Sequence, residues 1–294
     1  MFRTAVILGG LGQAGTLISR SLRDSGIGVT LVDARSQITN EAHGMAFLQS
    51  DVAVFEPELK TAIASSECVC VCLPEKITMR IASRLAAAMP DESLWIDTLS
   101  VKSSVVHAIE AQTGRVQVLS INPMFAPAMG WAGGAVAVIE ASAGSKSAFF
   151  KELLRAWGAR LEVVGAEEHD RLTASIQVAT HAAVLSFGAA LLSLNIDLES
   201  ALRLSTPPHR LLLTLLHRMT TQSAEVYWDI QAYHPLAGRV REKLVSALER
   251  LEQDVERDDA RRFVEMFSRL GALFETRDEL FKGWAKSAFA LPRD

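Results

Sequence analysis

The stretch Ala5-Val6-Ile7-Leu8-Gly9-Gly10-Leu11-Gly12-Gln13-Ala14-Gly15 decides the fold. Four apolar residues in a row read as a buried strand, and the glycine-rich loop that follows opens a helix. In that setting Gly10 permits a tight turn, Gly12 lets the backbone approach a pyrophosphate, and Gly15 lets helix and strand pack closely. The helix amino terminus then turns N–H groups and a positive dipole end towards an anion. Asp33 ends the next predicted strand, about 20 residues on, where a carboxylate can bind ribose hydroxyls. Gly10, Leu11, Gly12, Gln13, Ala14, Gly15 and Asp33 are therefore the candidate cofactor-binding residues. A carboxylate repels a 2′-phosphate, so the expected cofactor is NAD, with NADP left open by Arg35.

Outward from this loop, β-rich runs alternate with helical ones. Ala5–Leu8, Val29–Val32, Cys68–Leu73, Leu94–Ile96 and Val116–Ile121 read as strands, and Leu17–Arg23, Ile77–Ala88 and Val101–Ala111 as helices between them. Such alternation predicts right-handed βαβ units and a mainly parallel sheet. Ala135–Ile139 and Leu161–Val164 extend the sheet, flanking a helix near Lys146–Trp157. Beyond Gly165 the strand signal ends. Helices are expected over Glu167–Leu194, Leu198–Leu204, Pro208–Gln222, Leu236–Glu256 and Asp259–Phe274, with one more to follow. The predicted fold class is α/β: a Rossmann dinucleotide-binding domain over 1–165, then an all-helical dimerisation domain over 166–294.

A net charge of −4 provides no general basic field, which argues against nucleic acid as a partner. Cys68, Cys70 and Cys72 alternate along one strand face as small core residues; the spacing suits neither zinc nor a disulfide framework, so no metal is expected. Reduced thiols and the absence of a leader before the first strand predict a cytoplasmic protein. Ile176–Leu194 is almost wholly apolar but carries Gln177 and His181, and it is expected to be a buried helix at the centre of a helical domain rather than a membrane span. The apolar content of the second half predicts a homodimer.

Four further stretches carry a more specific signal. They are Asp97-Thr98-Leu99-Ser100-Val101-Lys102; Asn122-Pro123-Met124-Phe125-Ala126-Pro127; Glu168-His169-Asp170 with Ile176-Gln177-Val178-Ala179-Thr180-His181; and Ser205-Thr206-Pro207-Pro208-His209-Arg210 leading to Arg218. In order and spacing, through nearly the whole chain, they resemble prephenate dehydrogenases. The resemblance implies oxidation of a cyclohexadiene dicarboxylate by a nicotinamide cofactor, with loss of the ring carboxylate as carbon dioxide. It further implies that Ser100 assists at the reacting carbon and that His181, with Gln177 one turn before it, shapes the substrate pocket. Arg218 is the implied principal carboxylate ligand and Arg210 its support, since a guanidinium grips a carboxylate with two parallel hydrogen bonds. From spacing alone surface or interface ion pairs are the better reading of the two arginines, and a hydrogen-bonded core position that of His181; the resemblance reverses the preference for Arg218 and leaves Arg210 open between the two. Glu168-His169-Asp170 is expected to organise the start of the second domain without chemistry. Lys102 faces cofactor or substrate, or caps the sheet edge.

One position departs from the resemblance. Where those enzymes carry His-Pro-Met-Phe-Gly-Pro, this chain carries Asn122-Pro123-Met124-Phe125-Ala126-Pro127. Asparagine accepts a hydrogen bond but takes no proton at neutral pH. The missing histidine is the implied base for a ring hydroxyl. Its loss would cost on the order of 10²–10⁴ in rate with that substrate. A ring amine fits better, because nitrogen donates its lone pair as hydride leaves and the resulting iminium survives without immediate proton loss. The favoured substrate is 4-amino-4-deoxyprephenate, giving 4-aminophenylpyruvate, with Ser100, Asn122 and His181 as the catalytic set. A prephenate or arogenate dehydrogenase tolerating Asn122, a β-hydroxyacid dehydrogenase, and a non-catalytic NAD-binding regulatory protein are the rivals. The presence of Ser100, His181 and Arg218 argues against the last.

Overall fold

Strand β1 (Thr4–Leu8) runs through the centre of the sheet, and its alternating side chains supply both faces of the core. Ala5 and Ile7 face the side covered by α1 (Gln13–Asp24) and α5 (Ser145–Ala156), where Ile18, Leu22, Phe150 and Leu154 are buried. Val6 and Leu8 face the side covered by α2 (Pro57–Ala64), α3 (Glu75–Ala88) and α4 (Ser103–Ile109), through Leu59, Ile81 and Val105 among others. Two covered faces demand the near-continuous apolar strands seen in the sequence.

The computed structural model describes residues 1–35, 44–110 and 114–289. Ala111, the last residue of the predicted Val101–Ala111 helix, lies outside them. The remaining strands are β2 (Gly28–Asp33), β3 (Ala46–Gln49), β4 (Cys68–Val71), β5 (Leu94–Asp97), β6 (Gln117–Pro123), β7 (Ala135–Ser142) and β8 (Arg160–Val163). Their order across the sheet is β3-β2-β1-β4-β5-β6-β7-β8, and β7 alone pairs antiparallel, against β6. The order reverses between β1 and β4, so the crevice beyond the carboxyl ends of those strands is where such sheets bind ligands. Cys68 and Cys70 share one buried face, their sulfurs 3.8 Å apart, and Cys72 packs partly buried beside them.

Three elements escape the sequence pattern. β3 is a four-residue edge strand without a fully buried side chain, and α2 buries only Leu59 and Ile63 over eight residues. In the second half α10 (Ala224–Tyr233) buries only Ile230. Each is too short or too exposed to set up a periodic apolar face.

The chain forms two units. The first holds Met1–Thr173 together with Ala232–His234; the second holds Ala174–Gln231 and Pro235–Asp294. Thus α6 (Ala166–Thr173), one short helix beyond Gly165, belongs with the sheet. His234 joins it by a 2.9 Å contact from Nε2 to the Asp170 carbonyl. The second unit contains α7 (Thr180–Ser193), α8 (Leu198–Arg203), α9 (Pro207–Thr220), most of α10, α11 (Ala237–Glu256), α12 (Ala260–Ala272) and α13 (Asp278–Ala288). Its opening residues, Ala174–Ala179, wind as a π-helix, with the Thr180 hydroxyl donating to the Ser175 carbonyl five residues back. Gly188 lets α9 approach α7: a Cβ there would lie 2.7 Å from Leu216.

The expectation of a buried Ile176–Leu194 helix fails within one chain. Leu192 is 83% exposed, and Ile176, Leu185 and Leu194 are exposed as well. The second unit's buried apolar cluster of Val178, Ile230 and Ala237, with Val240 against it, is small, and on α7 itself the buried residues are Ala182, Val184 and Gly188 only.

The loop after β6 is held by aromatic packing. Phe125 lies edge-on to Trp131, ring centres 5.6 Å apart, and over Gly134, where a Cβ would sit 2.5 Å from its ring. Gly134→Ala should therefore lower stability by about 1–3 kcal/mol through overpacking, read as a shift in the urea midpoint at unchanged slope.

Candidate active site

The glycine loop leaves β1 through Gly9, whose φ of 78° is the left-handed conformation that glycine accepts without strain. The turn is closed by the Gly12 N–H donating to the Gly9 carbonyl at 3.0 Å, so Gly10 lies within it while the left-handed residue is Gly9. Gly10 also serves close packing, since a Cβ there would meet Leu31 at 3.0 Å. A Cβ on Gly15 would collide with the Gly9 carbonyl, so this position does bring helix and strand together. Gly12, the residue before α1, would bring a Cβ against the Gly9 oxygen only, at 3.2 Å, leaving its other side open. No acidic side chain stands in the first turn of α1. The loop therefore suits a pyrophosphate on Gly12, Gln13 and Ala14.

Asp33 ends β2 beside this loop. Its carboxylate accepts the Leu11 N–H at 3.1 Å and a two-pronged contact from the Arg35 guanidinium, 2.9 Å at both Nε and Nη2. Burial opposes its charge, but these hydrogen bonds prevail and hold its carboxyl below the usual aspartate range. Arg35 itself is largely exposed, so the pair presents a carboxylate with a movable counter-ion to an adenosine ribose.

Ser100 follows β5 in a half-buried loop whose base is a buried ion pair. Lys102, 0% exposed, donates from Nζ to Asp97 at 2.8 Å and to the Ile121 carbonyl at 2.6 Å. Asp97 also accepts the Ser120 hydroxyl and the Trp95 indole N–H. Burial pulls the Lys102 pKa down while Asp97 resists. Lys102 is thus a brace between β5 and β6, and neither faces a ligand nor caps an edge.

Asn122 lies near the carboxyl end of β6, 3% exposed. Its Nδ2 is 3.1 Å from Nε2 of His169, whose Nδ1 is 2.8 Å from Asp170. Asp170 further accepts the backbone N–H groups of Lys102 and Ser103, at 2.9 and 3.0 Å, and the Ser103 hydroxyl at 2.5 Å. Burial would raise the Asp170 carboxyl; the hydrogen bonds from His169, Ser103 and Lys102 outweigh it and bring it to about 2. The Glu168-His169-Asp170 stretch therefore reaches Asn122 directly, a link that spacing in the sequence could not reveal.

The remaining candidates belong to the second unit. Gln177 sits in the π-wound stretch and His181 one turn on. Gln177 Oε1 and His181 Nδ1 are buried without a hydrogen-bond partner among the described residues. Buried polar atoms left in this state commonly mark a ligand position. Desolvation pushes the His181 pKa down to about 4, so the ring is neutral near pH 7. It stands edge-on to Tyr227, 4.9 Å between ring centres, and Tyr227 feels the charge of Arg218. Tyr227 lies on α10, an element the apolar pattern does not disclose. Arg218 is exposed and Arg210 half-buried, both on α9.

Two substitutions test these roles. Lys102→Met strands Asp97 in the core and should destabilise the fold by about 3–5 kcal/mol, measured by urea unfolding. Asp33→Asn removes charged acceptors worth roughly 1.5–3 kcal/mol; the NAD-over-NADP ratio in kcat/KM should fall about 10- to 100-fold.

Comparison with known proteins identifies both units. The family model described as prephenate dehydrogenase, nucleotide-binding domain, matches residues 18–141, and the one described as prephenate dehydrogenase, dimerization domain, matches 165–269. The chain is 37% identical over 292 residues to 4-amino-4-deoxyprephenate dehydrogenase of Streptomyces pristinaespiralis, covering 99% of this chain and 98% of that protein. It is 29% identical over 298 residues to the T-protein of Enterobacter agglomerans, covering 99% of this chain and 73% of that protein. The crystal structure of prephenate dehydrogenase from A. aeolicus in complex with hydroxyphenyl propionate and NAD+ shares the fold, at a TM-score of 0.73 and 18% identity over 95% of this chain and 99% of that one. With its Rossmann sheet, its helical second unit and matches along both, the chain belongs to the prephenate dehydrogenase family.

Proposed function

We propose that this protein catalyses NAD-dependent oxidative decarboxylation of 4-amino-4-deoxyprephenate to 4-aminophenylpyruvate. The observation that carries the proposal is Asn122, buried and hydrogen-bonded near the carboxyl end of β6, which the proposal reads as standing in for the family's histidine. The similarity to the Streptomyces pristinaespiralis enzyme along the whole chain supports the same reading.

The loop from Gly10 to Gly15 and Asp33 would hold NAD, which would supply the hydride acceptor. The ring C–H bond breaks with its electron pair as the nitrogen lone pair forms a C=N bond. The C–CO2 bond at the opposite ring carbon then releases its pair into the ring, which becomes aromatic and returns nitrogen to a neutral amine. No proton need leave. Asn122 therefore orients an N–H as an acceptor, a role its amide oxygen fills without basicity. Ser100 flanks the reacting carbon. Arg218, with Arg210, binds the carboxylates. Neutral His181 and Gln177 contribute polar contacts that their unpaired buried atoms are ready to make.

The same reading makes the protein a homodimer. Leu192 on α7 and Phe267 and Leu270 on α12 are exposed in the single chain, as a dimerization domain requires. Thiols packed unbridged in the core support a cytoplasmic location.

The test compares kcat/KM for the amino substrate and for prephenate with purified enzyme and NAD. The amino substrate should lead by about 10²-fold or more, the scale of general base assistance that Asn122 forgoes with a hydroxyl. Asn122→His should narrow the gap by raising turnover of prephenate. Equal or better efficiency with prephenate in the unaltered enzyme overturns the proposal.

A further inference from the structure

We propose that His169 and Asp170 are positioning residues that determine which end of the Asn122 amide meets the substrate, presenting Oδ1 as a fixed acceptor. This inference rests on the role given to Asn122 above. An asparagine amide has a donor end and an acceptor end of nearly equal size, and only its partners decide their direction. Around Asn122 the decision passes inward along a chain of three groups.

Asp170 starts it. An ionised carboxylate only accepts, and all four contacts of Asp170 are with N–H or O–H groups: His169 Nδ1 and the Lys102 N–H on one oxygen, the Ser103 N–H and hydroxyl on the other. Nδ1 of His169 must therefore carry its hydrogen, and Nε2, faced by the amide nitrogen of Asn122, is the acceptor of that pair. Its lone pair takes a hydrogen from Asn122 Nδ2 at 3.1 Å. With Nδ2 committed, Oδ1 faces away and takes no hydrogen bond among the described residues. His169 and Asn122 are both nearly fully buried, so water does not offer the amide a competing orientation. A reversed amide would donate its N–H to the amine nitrogen and compete for the lone pair that must form the C=N bond.

The chain of donors and acceptors can be inverted. Asp170→Asn lets its new amide donate to His169 Nδ1, which moves the ring hydrogen to Nε2. Nε2 then donates to Asn122 Oδ1 and turns the donor end outward. A carboxylate at 122 accepts at both ends, so Asn122→Asp added to D170N recovers an outward acceptor. The enzyme is assayed on whichever of the two substrates the unaltered protein turns over faster. A wrong substrate assignment would thus appear in the unaltered enzyme and not in these ratios.

D170N should lower kcat about 10- to 100-fold, the cost of leaving one buried polar partner unmatched, with KM for NAD within about twofold. N122D should raise kcat in the D170N background and not in the unaltered one. Imidazole 15N shifts should show the His169 hydrogen on Nδ1 in the unaltered protein and on Nε2 in D170N, which loss of packing alone would not produce. Should D170N not fold, His169→Gln replaces it, since a glutamine offers either end. It should lose kcat likewise and recover when N122D is added. A folded D170N or H169Q with kcat within about twofold of the unaltered enzyme, or a loss that N122D leaves unchanged, overturns the inference.

Discussion

The Asp170 carboxylate is the constraint on which the sheet side of this site depends. It lies far in sequence from the loop it stabilises, yet it accepts the N–H of Lys102 and of Ser103 at the start of α4. This is a helix cap supplied from a distant element, and a negative charge there is favoured by the helix dipole. One group thereby sets three things: the entry into α4, the placement of Ser100 two residues before the Lys102 contact, and the hydrogen on His169. A buried carboxylate with too few donors would be costly, because desolvation penalises the charge. Four donors reverse that balance, which is why the charge survives at about pKa 2 inside the fold.

The same physics recurs at two other buried carboxylates. Asp97 is buried and answered by Lys102, Ser120 and Trp95; Asp33 is answered by Leu11 and Arg35. All three stand at or beyond the carboxyl ends of parallel strands or against the loops that leave them. The difference between them is the mobility of the partner. Asp97 faces a lysine that has nowhere to go, so it is structural. Asp33 faces an arginine 60% exposed, which is free to change partners. Fixed partners make a frame; a movable one leaves Asp33 able to take the ribose that the proposed function assigns to it.

Much of this was legible in the chain itself. The apolar runs of β1, β2, β4, β5 and β6 and the helices between them declare the sheet, because a strand buried on both faces has few polar choices. Gly15 and Asp33 declare the loop for a similar reason: steric contact and charge leave little freedom there. What spacing conceals is the direction of single groups. Lys102 could have faced a ligand, and only the folded β5–β6 junction shows it turned inward to Asp97 and Ile121. His169 stood 47 residues from Asn122, with no periodicity to connect them. The exposed side of α7 looks buried in the sequence because an apolar helix has the same pattern whether its cover comes from its own chain or from another.

Asn122 unites these threads. In a fold with two buried carboxylates and a lysine held rigidly, an amide at the position where the proposal places the family's base is no loss of order; His169 holds the side chain. What changes is the demand placed on the substrate. A hydroxyl losing hydride becomes a protonated carbonyl, whose proton needs an acceptor of real basicity at that moment. An amine becomes an iminium, which keeps its protons and waits for decarboxylation to restore neutrality. The electron pair that a base would have drawn from O–H is supplied by nitrogen itself. Under the proposed function the reactive form is the free amine, since an ammonium has no pair to give. It also follows that an oriented but non-basic acceptor is sufficient. A residue unable to take a proton is tolerable only where the chemistry does not ask for one to leave.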